Sequence, residues 1–410
     1  MTSLKIPTPP EWKRSLFTVG VTGTNGKTST TAWIAAALAT VARPVARTTT
    51  VGSFLDDALV TDLPRDYNGY VALMRRCLDQ GGRFVAAEYT SEALALGFAK
   101  AWCADVAVFT NLTHDHLDAH GTPEHYLASK AQLFMALPEG GTAVLNAAAD
   151  ASALIREVIP FGVRVVSYAV PARGALVLDA PDLVATKITS TWDGTRIFCD
   201  RSGFAADFPM QLTTRAIGSI YAENVLAALL GAVAAGVAVE DAARAIAEAP
   251  PPPGRFEVVA RAPYVVVDYA HTPDALERTL AIARSLAAPD ARVTVVFGAG
   301  GNRDKNKRAP MGAAASSADR VILTSDNPRT ERASDIAAAI KKGVRRPGPE
   351  VIVELDRRRA IARAIEDARG EDIVLIAGRG HETEQIIGDE RLELSDVAVA
   401  REVVAARPSR

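Results

Sequence analysis

Phe17-Thr-Val-Gly-Val-Thr-Gly-Thr-Asn-Gly-Lys-Thr28 is the stretch of sequence that decides the fold. Its apolar start predicts a buried strand, its two later glycines allow a tight turn, and Lys27 and Thr28 open an alanine-rich helix. This order is typical of a phosphate-binding loop, because backbone N–H groups and a helix N-terminus then surround phosphate oxygens. Lys27 would reach the β- and γ-phosphates, and the Thr28 hydroxyl would bind Mg²⁺. The strict spacing G-x-x-x-x-G-K-[ST] is not met, since Val21 replaces its first glycine, so a glycine-rich turn before an ordinary helix is the alternative.

Composition and charge narrow the functional class. The 410 residues suffice for two or three domains, and 48% hydrophobic with 23% charged residues is ordinary for a globular protein. A net charge of −2 argues against a general nucleic-acid binder. Cys77, Cys103 and Cys199 lie far apart, which fits a reducing compartment and argues against a zinc site. Neither a secretory signal nor an apolar stretch of membrane-spanning length is visible, so we expect a cytoplasmic protein that binds neither membranes nor nucleic acid.

The alternation of strand-like and helical patterns predicts two α/β domains with mainly parallel sheets. The pattern runs from residue 16 to about 249, with a β-type stretch at 162–211, and it restarts after the linker Ala249-Pro-Pro-Pro-Pro-Gly254. We therefore predict a central P-loop ATPase domain over residues 1–250 and a C-terminal, Rossmann-like α/β domain over residues 251–410. The predicted strands include 83–87, 106–110, 142–146, 264–268, 292–297, 320–324, 351–354 and 372–377, and the predicted helices include 29–41, 125–137 and 222–235.

Polar residues follow several of these predicted strands, where ligands of open parallel sheets bind. Glu88 ends the strand at 83–87 and is a candidate Mg²⁺ ligand, although a solvated acid at a strand end is the alternative. The segment His114-Asp-His-Leu-Asp118 comes shortly after the strand at 106–110 and predicts a metal or phosphate site. Beside a P-loop, Mg²⁺ for nucleotide chemistry is favoured over a transition metal. Lys130 by itself would be interpreted as a surface lysine.

Taken together, these motifs resemble the Mur ligase family, ATP-dependent ligases that build the peptide of bacterial cell-wall precursors. The resemblance covers nearly the whole chain, and within the family it is strongest to the branch that adds meso-diaminopimelate as the third amino acid. It rests on T-G-T-N-G-K-T (22–28), Glu88, T-N-L-T-x-D-H-L-D-x-H-G-T (110–122), Lys130 in S-K-A-Q-L-F, Pro253-Gly-Arg-Phe-Glu257, Asp268-Tyr-Ala-His-Thr-Pro273, Phe297-Gly-Ala-Gly-Gly-Asn-Arg-Asp304, Asp326-Asn-Pro-Arg329 and Gly378-Arg-Gly-His-Glu382.

The resemblance implies roles for residues near the P-loop. Lys27 and Thr28 are expected to bind the ATP phosphates and Mg²⁺, and Glu88 and His116 to hold Mg²⁺ ions. Lys130 matches a lysine that is carbamylated in this family, whose added carboxylate supports a second Mg²⁺. The catalytic set is therefore Lys27, Glu88, His116 and Lys130, and the implied metal ligands are Thr28, Glu88, His116 and Lys130. The remaining residues expected to bind the nucleotide are Gly23, Thr24, Asn25, Gly26, Ser29, Asn111, Asn224, Arg255, Asp268 and His271.

A second set of residues is implied to bind the substrates. Asn327, Arg329, Gly378 and Glu382 match a pocket for the far end of the amino acid, and Arg379 stands where this branch usually has lysine. The full set expected to bind substrate is Ser91, Glu92, Arg303, Asp326, Asn327, Arg329, Gly378, Arg379 and Glu382.

Three departures concern the acyl substrate. The family's cell-wall enzymes carry an N-terminal domain that binds the UDP end of the precursor, and the residues before Phe17 are too few to form it. Thr61-Asp-Leu-Pro64 stands where the family typically has N-T-T-P. Glu92 replaces a histidine in an S-S-H motif, and Lys100 lies near the position of an expected arginine. We therefore expect recognition of the acyl substrate to be changed.

The resemblance implies an ADP-forming ligase that joins a carboxylate to an amine through an acyl phosphate. We expect it to add meso-diaminopimelate or a similar amino acid to a small carboxylate that is not a UDP precursor bound in the usual way. One alternative is a cell-wall tripeptide synthetase whose UDP-binding function comes from a protein partner. Another is a non-catalytic nucleotide-binding subunit, and folylpolyglutamate synthase-like activity is a further alternative that the D-N-P-R and G-R-G-H-E motifs do not favour.

Overall fold

A computed structural model describes residues 7–113, 120–171 and 175–407. The chain forms two compact units, unit 1 from Met1 to Pro250 and unit 2 from Pro251 to Arg410. The boundary falls within the proline-rich linker. In the described ranges, no helix combines the length and apolarity that crossing a membrane requires.

Unit 1 is built on a mixed sheet of eleven strands in the order β11-β10-β9-β8-β7-β6-β1-β5-β2-β3-β4. Strands β2, β5, β1, β6, β7, β8 and β9 are parallel, and the two ends of the sheet are antiparallel. The strands are β1 (Phe17–Thr22), β2 (Val45–Thr48), β3 (Ser53–Leu55), β4 (Ala58–Leu59), β5 (Phe84–Glu88), β6 (Val106–Phe109), β7 (Thr142–Asn146), β8 (Arg164–Ala169), β9 (Leu183–Thr191), β10 (Gly194–Arg201) and β11 (Gln211–Thr214).

The helices of unit 1 cover the parallel part of this sheet. They include α1 (Lys27–Leu38), α2 (Tyr67–Asp79), α3 (Ser91–Ala95), α4 (Phe98–Ala101), α5 (Pro123–Met135), α6 (Ala151–Glu157), α7 (Ile220–Ala234) and α8 (Val239–Glu248). Helix α1 packs on α7, α8 and strands β1, β2 and β5. Ten of its twelve residues are buried, which explains why it is rich in alanine: small side chains let it approach the sheet and both helices.

Unit 2 contains a six-stranded sheet in the order β12-β13-β17-β14-β15-β16, parallel except for β12, and a separate β18–β19 hairpin. Its strands are β12 (Glu257–Arg261), β13 (Tyr264–Asp268), β14 (Val293–Phe297), β15 (Arg320–Leu323), β16 (Glu350–Val353), β17 (Ile373–Ala377), β18 (Glu384–Ile387) and β19 (Glu390–Glu393). Its helices are α9 (Pro273–Leu286), α10 (Arg308–Ala315), α11 (Ala333–Lys341), α12 (Arg357–Asp367) and α13 (Asp396–Ala406). The predicted α/β class, with a large mainly parallel sheet and a second C-terminal sheet, is confirmed.

Candidate active site

The P-loop of unit 1 follows β1, which lies between β5 and β6 in the sheet. Two of its glycines have positive φ, Gly23 at 147° and Gly26 at 87°. A Cβ at Gly23 would collide with the Thr110 hydroxyl, and a Cβ at Gly26 would collide with the Asn224 amide. Only glycine therefore fits at either position, and the loop backbone lies directly against residues that follow β6 and residues of α7.

Asn111 fixes the tip of the loop. Its side-chain oxygen accepts a hydrogen bond from Asn25 N at 2.9 Å, its amide nitrogen donates to Asn25 O at 3.2 Å, and its carbonyl accepts from Thr24 N at 2.8 Å. Ser29 is buried in the first turn of α1. The loop is thus held by the segment that follows the neighbouring strand β6, which is the preorganisation that a phosphate cradle needs.

Glu88, at the end of β5, faces the start of α1. Its Oε2 accepts from Thr28 Oγ1 at 2.9 Å and from Thr50 N at 3.1 Å, and its Oε1 lies 3.7 Å from Lys27 Nζ. Lys27 also donates to Thr24 O at 2.8 Å. The predicted meeting of Lys27, Thr28 and Glu88 is therefore present. Thr50 was not predicted, because nothing in its local sequence distinguishes it from a loop threonine.

Lys130 is also part of this site, although it comes from the middle of α5. Its Nζ donates to Gly23 O at 2.7 Å and lies 4.3 Å from the centre of the Tyr126 ring, and the residue is 1% exposed. The Tyr126 hydroxyl is 3.1 Å from Thr24 Oγ1. Lys130 thus lies against the phosphate loop and is not a surface lysine. His116, predicted as a metal ligand, lies outside the described residues.

This donor set fits ATP with Mg²⁺. The glycine cradle leaves backbone N–H groups at a helix N-terminus, and a hydroxyl and a carboxylate, hard oxygen ligands of the kind Mg²⁺ prefers, lie beside it. Within the described residues no three His, Cys, Asp or Glu side chains form a ready-made metal cluster. Such a site matches Mg²⁺, which is usually bound by one or two carboxylates together with substrate phosphates.

The predicted acyl-substrate residues lie at the start of α3. Ser91 is 3% exposed and its Oγ lies 2.9 Å from His120 Nε2, whereas Glu92 is exposed. Nearby, Lys100 lines a cleft of about 430 Å³ with residues of α3 and α5, among them His125 and Ser129.

In unit 2, Arg255 and His271 both pack against the Tyr269 ring, next to Asp268 in the chain or in space. The Arg255 guanidinium lies 4.6 Å from the centre of the Tyr269 ring, and the His271 ring is 4.7 Å from the same ring. Asp268 accepts hydrogen bonds from Phe256 N at 2.7 Å and Ala270 N at 2.8 Å. Burial raises the pKa of Asp268, an effect opposed by the Arg255 charge. The predicted nucleotide-contact residues of unit 2 are thus brought together.

The D-N-P-R motif and the G-R-G-H-E motif meet beyond β15 and β17. Asn327 Nδ2 donates to Glu382 Oε2 at 2.8 Å, and Asn327 Oδ1 accepts from Ile386 N at 2.8 Å. Gly378 has φ 111°, and a Cβ there would lie 2.8 Å from Asp326 Oδ2. Burial, followed by the Asp326 charge, raises the pKa of Glu382. The side chains of Asp326 and Glu382 therefore lie close enough for the charge of one to act on the other.

Arg329, the last residue of the D-N-P-R motif, adds a positively charged side chain next to these residues in the chain. It is partly buried, its Nη1 donates to Gly301 O at 2.8 Å, and its backbone adopts φ 50°, a conformation uncommon for a residue other than glycine. The exposed Arg303 lies nearby, since a Cβ on Gly300 would contact Arg329 Nη1 at 3.2 Å and Arg303 Cγ at 3.5 Å. Asn327 and Glu382 of the predicted pocket are thus in contact, and the side chains of Arg329 and Arg303 both lie near Gly300.

Arg379 differs from its neighbours in the pocket motif. It has no exposed surface, and its Nη2 donates to Glu384 O at 2.7 Å and Leu394 O at 2.9 Å. Burial, followed by the Arg357 charge, lowers its pKa. The Arg379 side chain thus bonds to the first residue of β18 and to the residue after β19, and it is directed into the protein interior.

Comparison with known protein families gives two matching domain models, both of Mur ligases. The model of the Mur ligase middle domain matches residues 21–232, and that of the Mur ligase glutamate ligase domain matches residues 254–380. The UDP-N-acetylmuramoyl-L-alanyl-D-glutamate–2,6-diaminopimelate ligase of Solibacter usitatus is 39% identical over 402 residues, which cover 94% of this chain and 76% of the relative. The enzyme of the same name from Geobacillus kaustophilus is 38% identical over 404 residues, which cover 96% of this chain and 79% of the relative.

Solved structures resemble this chain over most of its length. A structure of a UDP-N-acetylmuramoyl-L-alanyl-D-glutamate–2,6-diaminopimelate ligase is 32% identical with a TM-score of 0.66, covering 95% of this chain and 78% of that one. Folylpolyglutamate synthase of Mycobacterium tuberculosis, solved with ADP and AMPPCP, shares the fold at 19% identity and a TM-score of 0.67, covering 97% and 93%. The family uses ATP and Mg²⁺ and binds small-molecule substrates. This chain belongs to the Mur ligase family and is an ADP-forming ligase that makes C–N bonds.

Proposed function

We propose that this chain joins the carboxylate of an acyl substrate to the amino group of an amino acid of the meso-diaminopimelate class. The observation that carries this proposal is the cluster in unit 2 in which Asn327 contacts Asp326 and Glu382, with Arg329 bonded to Gly301 two residues further along the same motif. Meso-diaminopimelate has an amino group and a carboxylate at each end. When the amino group at one end reacts, a guanidinium suits the carboxylate of the far end, and the two acidic side chains suit its ammonium group.

The P-loop of unit 1 supplies the activation step. A substrate carboxylate oxygen attacks the γ-phosphorus of ATP, the bond to the bridging oxygen breaks, and ADP leaves, giving an acyl phosphate. Lys27 then faces the negative charge that develops on the transferred phosphoryl group. Thr28 and Glu88 would hold Mg²⁺, which supplies further positive charge beside the phosphates when bound. The amine next attacks the acyl carbon, loses a proton, and expels phosphate as the amide bond forms.

Lys130 has a more specific proposed role as a carbamylated residue. Its Nζ is buried and lies 2.7 Å from Gly23 O, so the group is held at the phosphate loop. The neutral amine is the form that adds CO₂, so carbamylation requires that Lys130 lose its proton. The resulting carbamate would place a carboxylate beside the loop, where it would extend the set of hard oxygen ligands begun by Glu88.

For the acyl substrate we propose a free carboxylate such as an amino acid or short peptide. The support is the exposed Glu92, which carries a negative charge at the start of α3, next to the buried Ser91. The second candidate is UDP-N-acetylmuramoyl-L-alanyl-D-glutamate, with or without a protein partner. It is favoured by the relatives named for that substrate, which match 94% or more of this chain at 38–39% identity.

Phosphate release from ATP tests both halves of the proposal. One series supplies meso-diaminopimelate with either UDP-N-acetylmuramoyl-L-alanyl-D-glutamate or a panel of free amino acids and short peptides. A matched series replaces meso-diaminopimelate by L-lysine, which lacks only the distal carboxylate. We expect turnover with free carboxylates and a strong preference for meso-diaminopimelate. Turnover with the UDP precursor alone would favour the second candidate, and equal use of L-lysine would contradict the role given to Arg329.

A further inference from the structure

The β18–β19 hairpin is a separate two-stranded sheet that buries little apolar surface. Across the two strands, which the structure describes in full, Gln385 is buried, Ile386 is half-buried and the remaining residues are exposed. A two-stranded hairpin by itself is at best marginally stable in water, and the buried residue of this one is polar. Hydrogen bonds to the rest of unit 2 are therefore the main restraint on where the hairpin lies.

Strand β18 is bonded to the first two residues of the D-N-P-R motif. The Gln385 side chain donates from Nε2 to Asp326 O at 2.6 Å. The next residue, Ile386, donates from its backbone N to Asn327 Oδ1 at 2.8 Å. The amide nitrogen of Asn327 binds Glu382, so the hairpin orients the side chain that joins the two motifs.

The hairpin also enforces the unusual backbone of Arg329. Arg329 N donates to Ile386 O at 3.1 Å, and Arg329 O accepts from Gly388 N at 2.7 Å. The two bonds form a parallel bridge between Arg329 and Ile387. They enclose a residue with φ 50°, a conformation that costs free energy outside glycine and persists only where its surroundings enforce it. The hairpin therefore determines the direction in which the Arg329 side chain leaves the backbone.

Arg379 fastens the hairpin at its base. Its Nη2 donates to Glu384 O at the start of β18 and to Leu394 O just after β19. Both bonds come from one nitrogen, whereas Nε and Nη1 are buried and have no hydrogen-bond partner among the described residues. A single charged nitrogen that bonds both ends of the hairpin fixes its base relative to the G-R-G-H-E motif, which also carries Glu382.

We propose that Arg379 and Gln385 are positioning residues that hold the β18–β19 hairpin as a template for Asp326–Arg329, and that they thereby set the preference of the enzyme between amino acids. This inference rests on the proposed function, in which Arg329 suits the far carboxylate of an amino acid of the meso-diaminopimelate class. When either contact is lost, the hairpin can move and Arg329 is released from its enforced backbone. Binding of the far carboxylate then weakens, and discrimination against L-lysine, which lacks that carboxylate, falls.

The first test follows the hairpin directly and does not require a substrate. Hydrogen–deuterium exchange of the full-length protein is compared between the native protein and Gln385→Met, for peptides that span 384–393 and 373–377. The methionine side chain has a similar length but cannot donate to Asp326 O. We expect exchange to become about tenfold faster in the hairpin and to stay unchanged in β17. Unchanged exchange in the hairpin, or an equal rise in β17, would overturn the proposal.

The second test separates positioning from general destabilisation. Arg379→Met removes both bonds at the base of the hairpin, whereas Arg379→Lys keeps one nitrogen with enough protons to donate to both carbonyls. The matched control is Arg391→Met, because Arg391 contacts Glu384 on the exposed side of the same hairpin.

We expect Arg379→Met to raise the KM of meso-diaminopimelate about tenfold with the KM of ATP unchanged, and Arg379→Lys to restore it to within about threefold. Arg391→Met should match the native enzyme. Equal behaviour of the two Arg379 variants, or a parallel rise of both KM values, would overturn the positioning role.

The third test measures discrimination between amino acids. The ratio of kcat/KM for meso-diaminopimelate to that for L-lysine is expected to fall about tenfold in Gln385→Met and in Arg379→Met, and to keep its native value in Arg391→Met. An unchanged ratio in the first two variants would overturn the role in selection. If the native enzyme uses L-lysine as well as meso-diaminopimelate, the proposed function fails instead, and the exchange measurement still decides whether Gln385 holds the hairpin.

Discussion

Arg357 and Asp396 form an ion pair in which neither side chain has exposed surface, with Arg357 Nη2 2.7 Å from Asp396 Oδ2. The same guanidinium donates to Ser325 O at 3.2 Å and to Ala377 O at 2.9 Å. These carbonyls immediately precede the D-N-P-R and G-R-G-H-E motifs. The pair therefore holds the two pocket segments of unit 2 at a fixed separation, beneath the residues proposed to bind the amino acid.

Breaking this pair should strongly destabilise unit 2. Asp396→Asn leaves Arg357 buried without its counter-ion, which typically costs about 3–5 kcal/mol. Denaturant unfolding followed by a probe in unit 2 measures the effect. The matched control is Glu402→Gln, on the same helix, whose partner Arg358 is exposed, and it should cost about 1 kcal/mol or less. Similar costs for the two variants would contradict the burial argument.

Lys27→Ala should reduce kcat at least about 100-fold, the usual cost of removing a group that stabilises developing charge. The structure supports this because Lys27 Nζ is directed at the loop, 2.8 Å from Thr24 O. Steady-state ADP release measures the loss. Lys187→Ala, at an exposed position on β9, is the control and should keep full activity. Near-normal kcat in Lys27→Ala would exclude the P-loop assignment.

Lys130→Ala should lose most activity and recover part of it when formate or acetate is added. The expectation follows from carbamylation, since a small carboxylate can occupy the space that the carbamate would fill. Lys27→Ala is the control and should not respond, because its missing group is a cation. A complementary measurement is a ¹³C carbamate signal from protein equilibrated with ¹³CO₂. A Lys130→Ala enzyme with full activity would reject this role.

Arg329→Ala should raise the KM of meso-diaminopimelate roughly 10- to 150-fold, corresponding to about 1.5–3 kcal/mol for a hydrogen bond to a charged group. The KM of ATP should change little, because Arg255, the residue predicted to contact the nucleotide, lies in another segment and packs against Tyr269. Initial-rate measurements with each substrate varied in turn provide the test. Arg332→Ala, at an exposed neighbour, is the control. Equal rises in both KM values would argue against the pocket.

Glu331 provides a prediction for acid stability. Its carboxylate accepts hydrogen bonds from both terminal guanidinium nitrogens of Arg308, each at 3.0 Å. These bonds are the largest cause, and the bond from Asn302 N is the second largest, of the lowering of the Glu331 pKa to about 2. Because the native pKa lies below the unfolded value of about 4.3, the stabilisation is complete above that value and is lost as the pH falls toward 2. The difference in unfolding free energy between the native protein and Glu331→Gln should therefore be constant above about pH 5 and shrink below it. A difference that grows on acidification would contradict this sign.

Much of the fold could be predicted because its signals are local. The strands at 142–146 and 264–268 were predicted at their observed bounds, since each is a short apolar run between turn residues. Helix α1 begins at Lys27, which was predicted to open it, and ends at Leu38, three residues before the predicted end at 41. The short β3 and β4 strands were not predicted, since they carry few buried residues and too little periodicity.

The site was predictable where a motif carries its own chemistry, as with Lys27, Thr28 and Glu88. Lys130 was assigned only through the family resemblance, since nothing in a helical S-K-A-Q sequence indicates that its Nζ reaches Gly23 O. Tyr126 and Thr50 were missed for the same reason: each contributes through a contact with residues distant in the sequence. The orientation of Arg379 into the interior likewise depends on tertiary packing around Leu394.

The contact between Gly26 and Asn224 has a consequence for how this enzyme can be divided. Gly26 lies near the start of unit 1, and Asn224 comes from a helix near its end. A truncated chain that stops before α7 would retain the whole phosphate-binding motif but would lack Asn224, the residue against which Gly26 packs. Nucleotide affinity should therefore arise only when the complete first unit has folded, so ATP can serve as a reporter of that unit's integrity.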